Sequence, residues 1–283
     1  MIASSDYKAY ISALDMQYSE AATLMKRYIE SFDWNQDYST VKAQRNLVAR
    51  YMKSLIDVYG TNAAVLAADF YKLAAESDDV DIEEPLIAET VTDKTVQGSV
   101  RYAAKHLWND DPDPDAFASQ VIASLVRYVK KGANDTMAIN ARRDGMKNKG
   151  VRWARVPRGA ETCPFCIMLA SRGFVYWSKE SADLFGHEHE HCDCDIIPSF
   201  SDADLEGYDH SEYEEMYLDN LAKDKYGTVQ TAETLNNMRR KMMANDDSYR
   251  ERVNAQRRAW YARNAASERR RVAKYRERKN GEA

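Results

Sequence analysis

The chain has 283 residues, 44% of them hydrophobic, enough to bury a core and to exclude disorder throughout. No apolar run approaches the roughly 20 residues needed to span a bilayer, so no membrane partner is expected, and the opening MIASSDYKAY has neither the basic nor the apolar region of a secretion signal. The net charge of −5 is uneven: residues 239–283 hold 15 Lys and Arg against 6 Asp and Glu, a net of +9, which leaves −14 for residues 1–238.

In chain order, apolar residues at Tyr7, Ile11, Leu14, Tyr18, Ala21, Met25, Tyr28 and Phe32 step by fours and threes and predict a long amphipathic helix. A second helix is expected from about Thr40, with Val41, Val48, Met52, Leu55 and Tyr59 on one side and Gly60 as its stop, packed on the first as an antiparallel hairpin. Thr61 is the expected cap of a third, Ala-rich helix to about Glu76, after which the acidic stretch from Ser77 to Pro85 reads as a linker. Further helices are expected from about Thr95 to Trp108 and, past Asp111-Pro-Asp-Pro114, from about Asp115 to Arg143. Near Gly145 the chain turns irregular, with brief strands suggested at Val151, Trp153 and Phe174 to Trp177. After Pro198 helical patterns return, through Tyr213 to Leu221, Ala232 to Met243 and an Arg-rich stretch from Ser248. The expected fold is mainly α, with long helical arms around a small irregular α+β zinc-binding hub. Four regions result: helices over 1–76, linker and helices over 77–145, the hub over 146–200, and C-terminal helices with a basic tail over 201–283.

All four cysteines fall in one window, which in a chain without an export signal favours metal or redox chemistry over a disulfide framework. Cys163-Pro-Phe-Cys166 precedes Cys192-Asp-Cys194 by 25 residues, and His187, His189 and His191 lead into the second pair. A Cys-x-x-Cys turn can aim two sulfurs at one ion, a second pair completes a tetrahedron, and thiolates with imidazoles select zinc. In an extended segment Cys192 and Cys194 face one side while His189 and His191 face the other, so the preferred ligand sets are Cys163, Cys166 and Cys194 with either Cys192 or His189. Four protein ligands make a closed, structural site, which also supplies a staple to a stretch poor in apolar residues. Cys-Pro-Phe-Cys is also the kind of motif used in dithiol exchange by glutaredoxins, but the βαβ surroundings of that fold are missing. The zinc deaminases place His-x-Glu before Pro-Cys-x-x-Cys, the reverse of the order here.

Trp153-Ala-Arg155-Val-Pro-Arg-Gly159, Cys163-Pro-Phe-Cys166 through Gly173 to Tyr176, and His189-Glu-His191-Cys192-Asp-Cys194 with Pro198 resemble the core of MuF-like minor head proteins of tailed phages infecting actinobacteria. The resemblance implies a minor structural component of the virion head, without enzymatic activity, beside the portal protein or the major capsid protein on the inner face of the shell. It carries the metal-ligand roles onto Cys163, Cys166, His189, His191, Cys192 and Cys194. With it, residues 239–283 become a candidate contact for double-stranded DNA through phosphates, insensitive to base sequence. The same tail is otherwise a solvated charged helix, with Tyr249 and Trp260 on a packing face. Two other functions compete: a zinc-supported nuclease of the His-Asn-His type, for which the cluster offers histidines but no Asn, and a DNA-binding regulator, for which no helix-turn-helix signal stands out.

Overall fold

The computed structural model describes residues 4–108, 112–147, 150–158, 162–176, 194–201, 205, 208–251, 253–255 and 257–258. The fold is mainly helical, with one two-stranded sheet among the described residues. The chain divides into two compact units, residues 1–162 with 166–215, and residues 163–165 with 216–283.

In the first unit, α1 (Ser4–Glu30) buries Leu14, Tyr18, Ala21 and Met25 of the expected stripe, but at its ends Tyr10 and Ile29 are buried while Tyr7, Ile11, Tyr28 and Phe32 stay partly exposed. Its partner is one long arm: α2 (Tyr38–Leu55) runs through a π-helical turn, Ile56–Gly60, straight into α3 (Thr61–Ser77). The antiparallel register is visible in the contacts. Tyr28 meets Tyr51 at a ring distance of 4.2 Å, Asn62 donates to Gln17, and Tyr10 stacks on Phe70 at 4.3 Å, so each step back along α1 matches a step forward along the arm. Gly60 therefore does not stop a helix and Thr61 caps none; both residues are right-handed helical, at φ −68° and −66°. Gly60 serves a close crossing instead: a Cβ added to Gly132 would sit 2.4 Å from the Gly60 carbonyl oxygen.

Gly132 belongs to α5 (Pro114–Lys147), the central rod, about 50 Å long at 1.5 Å per residue. It is buried on several sides, because α1, α3, α4 (Asp93–Ala103) and the sheet all pack on it. The stretch between α3 and α4 is not a free linker. Arg143 donates to the carbonyls of Glu83 and Glu84, Asn140 bonds both the N–H and the C=O of Leu86, and Thr136 accepts from the Ala88 N–H. One face of α5 thus holds an extended strap, supplying the backbone partners that a helix or sheet would otherwise give. Asp144 secures the same face, receiving Arg143 at 2.7 and 2.9 Å and the Tyr71 hydroxyl at 3.0 Å.

The sheet pairs β1 (Arg152–Val156) with β2 (Asp195–Ser199) in antiparallel register, from Arg152 opposite Ser199 to Val156 opposite Asp195. Pro198, where helical patterning was expected to resume, lies inside β2, tolerated because a strand with one neighbour needs no second row of donors. The strand expected over Phe174 to Trp177 is only a single bridge, Tyr176 to Trp153, and Trp177 lies outside the described residues. Between β1 and β2 stands α6 (Pro164–Ala170), a helical part of the expected α+β hub, with Pro164 at its first turn.

α7 (His210–Leu218) closes the first unit and leads into the second, where α8 (Thr231–Asn245) follows a tight turn. Asp224 accepts from the N–H groups of Tyr226 and Thr228, and Gly227 takes φ +83°. Thr234, fully buried, accepts from the Ala222 N–H at 3.0 Å, and Met238 is buried beside it on α8. Residues 247–251, 253–255 and 257–258 are helical. No helix among the described residues is long and apolar enough to cross a membrane.

Candidate functional site

The hub is built around α6. From Cys166 to Ala170 every side chain is buried, so this part of the short helix has no solvent face. Such a helix must find partners for its last carbonyls, which have none inside the helix. Tyrosines supply two: the Tyr176 hydroxyl donates to Leu169 O at 2.8 Å and the Tyr208 hydroxyl to Ala170 O at 2.6 Å. The Gly173 N–H also bonds Ala170 O, with Gly173 at φ +63° packed against the His210 ring. Tyr176 is in turn fixed to β1 by two backbone hydrogen bonds with Trp153, at 2.9 and 3.1 Å, and by ring contact with it.

Cys194 lies one residue before β2 and is fully buried, as is Cys166. Burial is the leading cause that pushes the Tyr176 hydroxyl up to about 12, with Arg172 and Arg155 opposing and Cys194 adding to the rise. Tyr208 is raised further, first by burial and also by Cys194, so Cys194 sits beside both tyrosines that close α6. Cys163 belongs to the second unit, where it is half-buried near Tyr249. Tyr249 is itself buried, in keeping with a packing role rather than base stacking.

Of the six expected ligands, Cys163, Cys166 and Cys194 are described, whereas His189, His191 and Cys192 lie outside the described residues, as does His187. Among the described residues no three Cys, His, Asp or Glu side chains form a cage for an ion. The expected zinc-binding hub is therefore reduced here to a compact cysteine-bearing hub. The first unit contains two buried sulfurs, of Cys166 and Cys194, soft donors of the kind that zinc accepts.

Beside Cys194 stands a group of residues that the motif reading did not single out. Asp195, 1% exposed, meets Lys130 of α5 at 3.5 Å and contacts Arg158 directly, and Arg158 also reaches Asp15 of α1 at 3.0 Å. The next backbone N–H, of Ile196, donates to buried Asn134 of α5 at 3.0 Å. Tyr10 and Tyr18 of α1 surround the carboxylate, and their hydroxyls are pushed well above the ordinary tyrosine value, by burial first and by Asp195 second. Burial works against the Arg158 charge, but Asp195 and Asp15 outweigh it and hold the guanidinium more firmly protonated. A sealed carboxylate between two cations suits a clamp: it ties the segments flanking the cysteines, through Arg158 and Asp195, to α1 and α5. The signal for it was Lys130 and Asn134, four apart, interrupting the apolar side of α5.

The basic tail is partly engaged where it is described. Arg240 pairs with Glu233, Lys241 with Asp219, Arg250 with Asp247 and Arg258 with Glu251. Arg269, Arg270 and Arg271 lie outside the described residues.

The model of the VG15 protein family matches residues 1–220 of this chain. The chain is 26% identical to the Gene 15 protein of Mycobacterium phage L5, over 64% of this chain and 77% of that protein. It is 39% identical to the Gene 15 protein of Mycobacterium phage D29, over 25% of this chain and 26% of that protein. No solved structure matches it.

Proposed function

Because the chain belongs to the VG15 protein family, a family of phage proteins, we propose that it is a non-enzymatic minor structural protein of a tailed-phage head. In this reading it is made in the host cytoplasm, assembles beside the portal protein and the major capsid protein, and stays inside the head. The observation that carries it is where the motif-bearing segments lie. Trp153–Arg158, Cys166–Tyr176 and Cys194–Pro198, the segments that resemble the MuF-like core, pack as one buried body clamped onto a frame of long helices. A rigid hub on extended arms is what a protein needs to join larger subunits. Purified, nuclease-treated virions of the encoding phage should contain the protein in few copies, as read by quantitative mass spectrometry. Its absence from both virions and DNA-free proheads overturns the reading.

Zinc and DNA belong to the same proposal. Zinc is held by four ligands drawn from Cys163, Cys166, His189, His191, Cys192 and Cys194, and stabilises the hub without chemistry of its own. Metal analysis of chelator-free protein should find close to one zinc per chain, and a content near zero sinks this part. The basic tail, residues 239–283, contacts packaged double-stranded DNA through phosphates. Of its described cations Arg240, Lys241, Arg250 and Arg258 already have acidic partners, so binding by the tail rests on the others.

A further inference from the structure

A second cationic surface lies on the folded frame, away from the tail in sequence and inside the acidic part of the chain. Between Tyr38 and Leu55, α2 carries Lys42, Arg45, Arg50 and Lys53 and not one acidic residue. At 100° per residue these four share one side of the helix. α4 buries only Val96, Val100 and Ala103 and stands as a ridge, with Lys94, Gln97, Arg101 and, just past its end, Lys105 on the open side. A Cβ added at Gly98 on that ridge would meet nothing within 4 Å. A cleft runs along each flank of the ridge, one lined by Asn46, Arg50 and Arg101, the other by Lys94, Ser99, Arg127 and Tyr128.

Residues 1–238 carry a net charge of −14, so acids to pair with are plentiful, yet among the described residues Arg45, Arg50, Lys94, Arg101, Lys105 and Arg127 make no ion pair. The acid lining the first cleft is Asp93, and Lys53 alone on this face is paired, with Asp57. The Nε of Arg127 is buried and makes no hydrogen bond. Arg101 is close enough to Arg45 to disfavour the Arg45 charge, after the larger effect of burial there. Like charges held together without counter-ions cost stability unless an outside anion completes them.

We propose that this α2–α4–α5 face binds the phosphodiester backbone of double-stranded DNA, with α4 entering a groove and the cations of the two clefts meeting the strands on either side. A major groove about 12 Å wide admits one helix, and the clefts on its two flanks offer Arg50 and Arg101 on one side and Lys94 and Arg127 on the other to the two strands. The proposal is independent of the tail and of the protein's place in the particle.

The experiment measures binding of the full-length protein to a duplex of mixed sequence by fluorescence anisotropy across a salt series. Three proteins are compared: wild type, the triple variant Arg50→Gln, Arg101→Gln, Lys105→Gln, and a tail variant Arg269→Gln, Arg270→Gln, Arg271→Gln. All three face residues are exposed, so circular dichroism should show unchanged melting for the face variant. Losing three phosphate contacts should weaken binding at least about tenfold at ~100 mM salt and reduce the slope of log affinity against log salt by roughly 2.7. The tail variant should keep most of the affinity. The proposal is overturned if the face variant binds as wild type does, or if wild type fails to bind the duplex at ~50 mM salt. It is equally overturned if the face variant instead loses self-association or binding to poly-glutamate while duplex binding is unchanged, which assigns the face to an acidic protein surface.

Discussion

A methyl group added at Gly132 would meet the Gly60 carbonyl oxygen at 2.4 Å, a backbone atom that cannot swing aside, whereas one added at Gly98 meets nothing. Gly132→Ala should therefore force α5 away from the π turn and lose roughly 3 kcal/mol, while Gly98→Ala should gain about 0.5–1 kcal/mol from helix propensity alone. Urea denaturation of the two variants decides the matter, and equal effects would mean that the crossing is looser than described. The same logic of surroundings separates two aspartates on one arginine. Asp195→Asn leaves Lys130 and Arg158 buried without a full counter-charge and should cost about 3–5 kcal/mol, whereas Asp15, with its side chain 60% exposed, should cost less than about 1 kcal/mol as Asn. If the two substitutions destabilise equally in denaturant melts, Asp195 is not the clamp. In sequence the clamp showed only as Lys130 and Asn134 interrupting the apolar side of α5, while Asp195 is one more acid in a run of Cys, His and Asp. Its burial comes from α1 and α5, far away along the chain.

Among the elements, those with a sustained 3.6-residue period were legible, because the apolar stripe that makes a helix amphipathic is also what it buries; the middle of α1 keeps its expected stripe and α3 its expected bounds. What failed were the joints. Glycine after an apolar stripe has two meanings, a left-handed cap or a close approach, and Gly60 has the second, which only its partner Gly132 reveals. The acidic stretch after α3 read as a linker because its backbone partners are side chains of α5, some 50 to 60 residues later. Asn140 is the central one. Asn140→Ala should release Leu86 while leaving the helices folded: hydrogen exchange at the Leu86 amide should rise toward that of an open loop, and limited proteolysis should cut between 80 and 91. Unchanged protection at Leu86 and Ala88 would show that the strap is held by other contacts.

At the scale of the whole molecule, the hub's position in the sequence was legible from its cysteines, but its scaffolding was not, since the side chains that close it are tyrosines without any motif. Those tyrosines set how the fold responds to alkali. Tyr10, Tyr18, Tyr71, Tyr176 and Tyr208 span α1, α3 and the hub, and in each burial is the leading cause of a raised hydroxyl. An unfolded tyrosine loses its proton near pH 10, whereas these hold theirs in the native state to about 12 at Tyr176 and beyond at the others. Above pH 10 the unfolded chain binds fewer protons than the native one, so stability present below pH 10 must fall as pH rises toward 12. A tyrosinate absorbance titration should then split. Its late phase should be the buried set, ionising in one cooperative step that coincides with loss of helix. Tyr176→Phe provides the internal check. At neutral pH it should cost about 1 kcal/mol, because Leu169 O loses its donor. In alkali it removes one ionising group, so the gap between variant and wild type should narrow as pH rises through 10 to 12. A gap that stays constant over that window would mean that Tyr176 ionises without unfolding the hub.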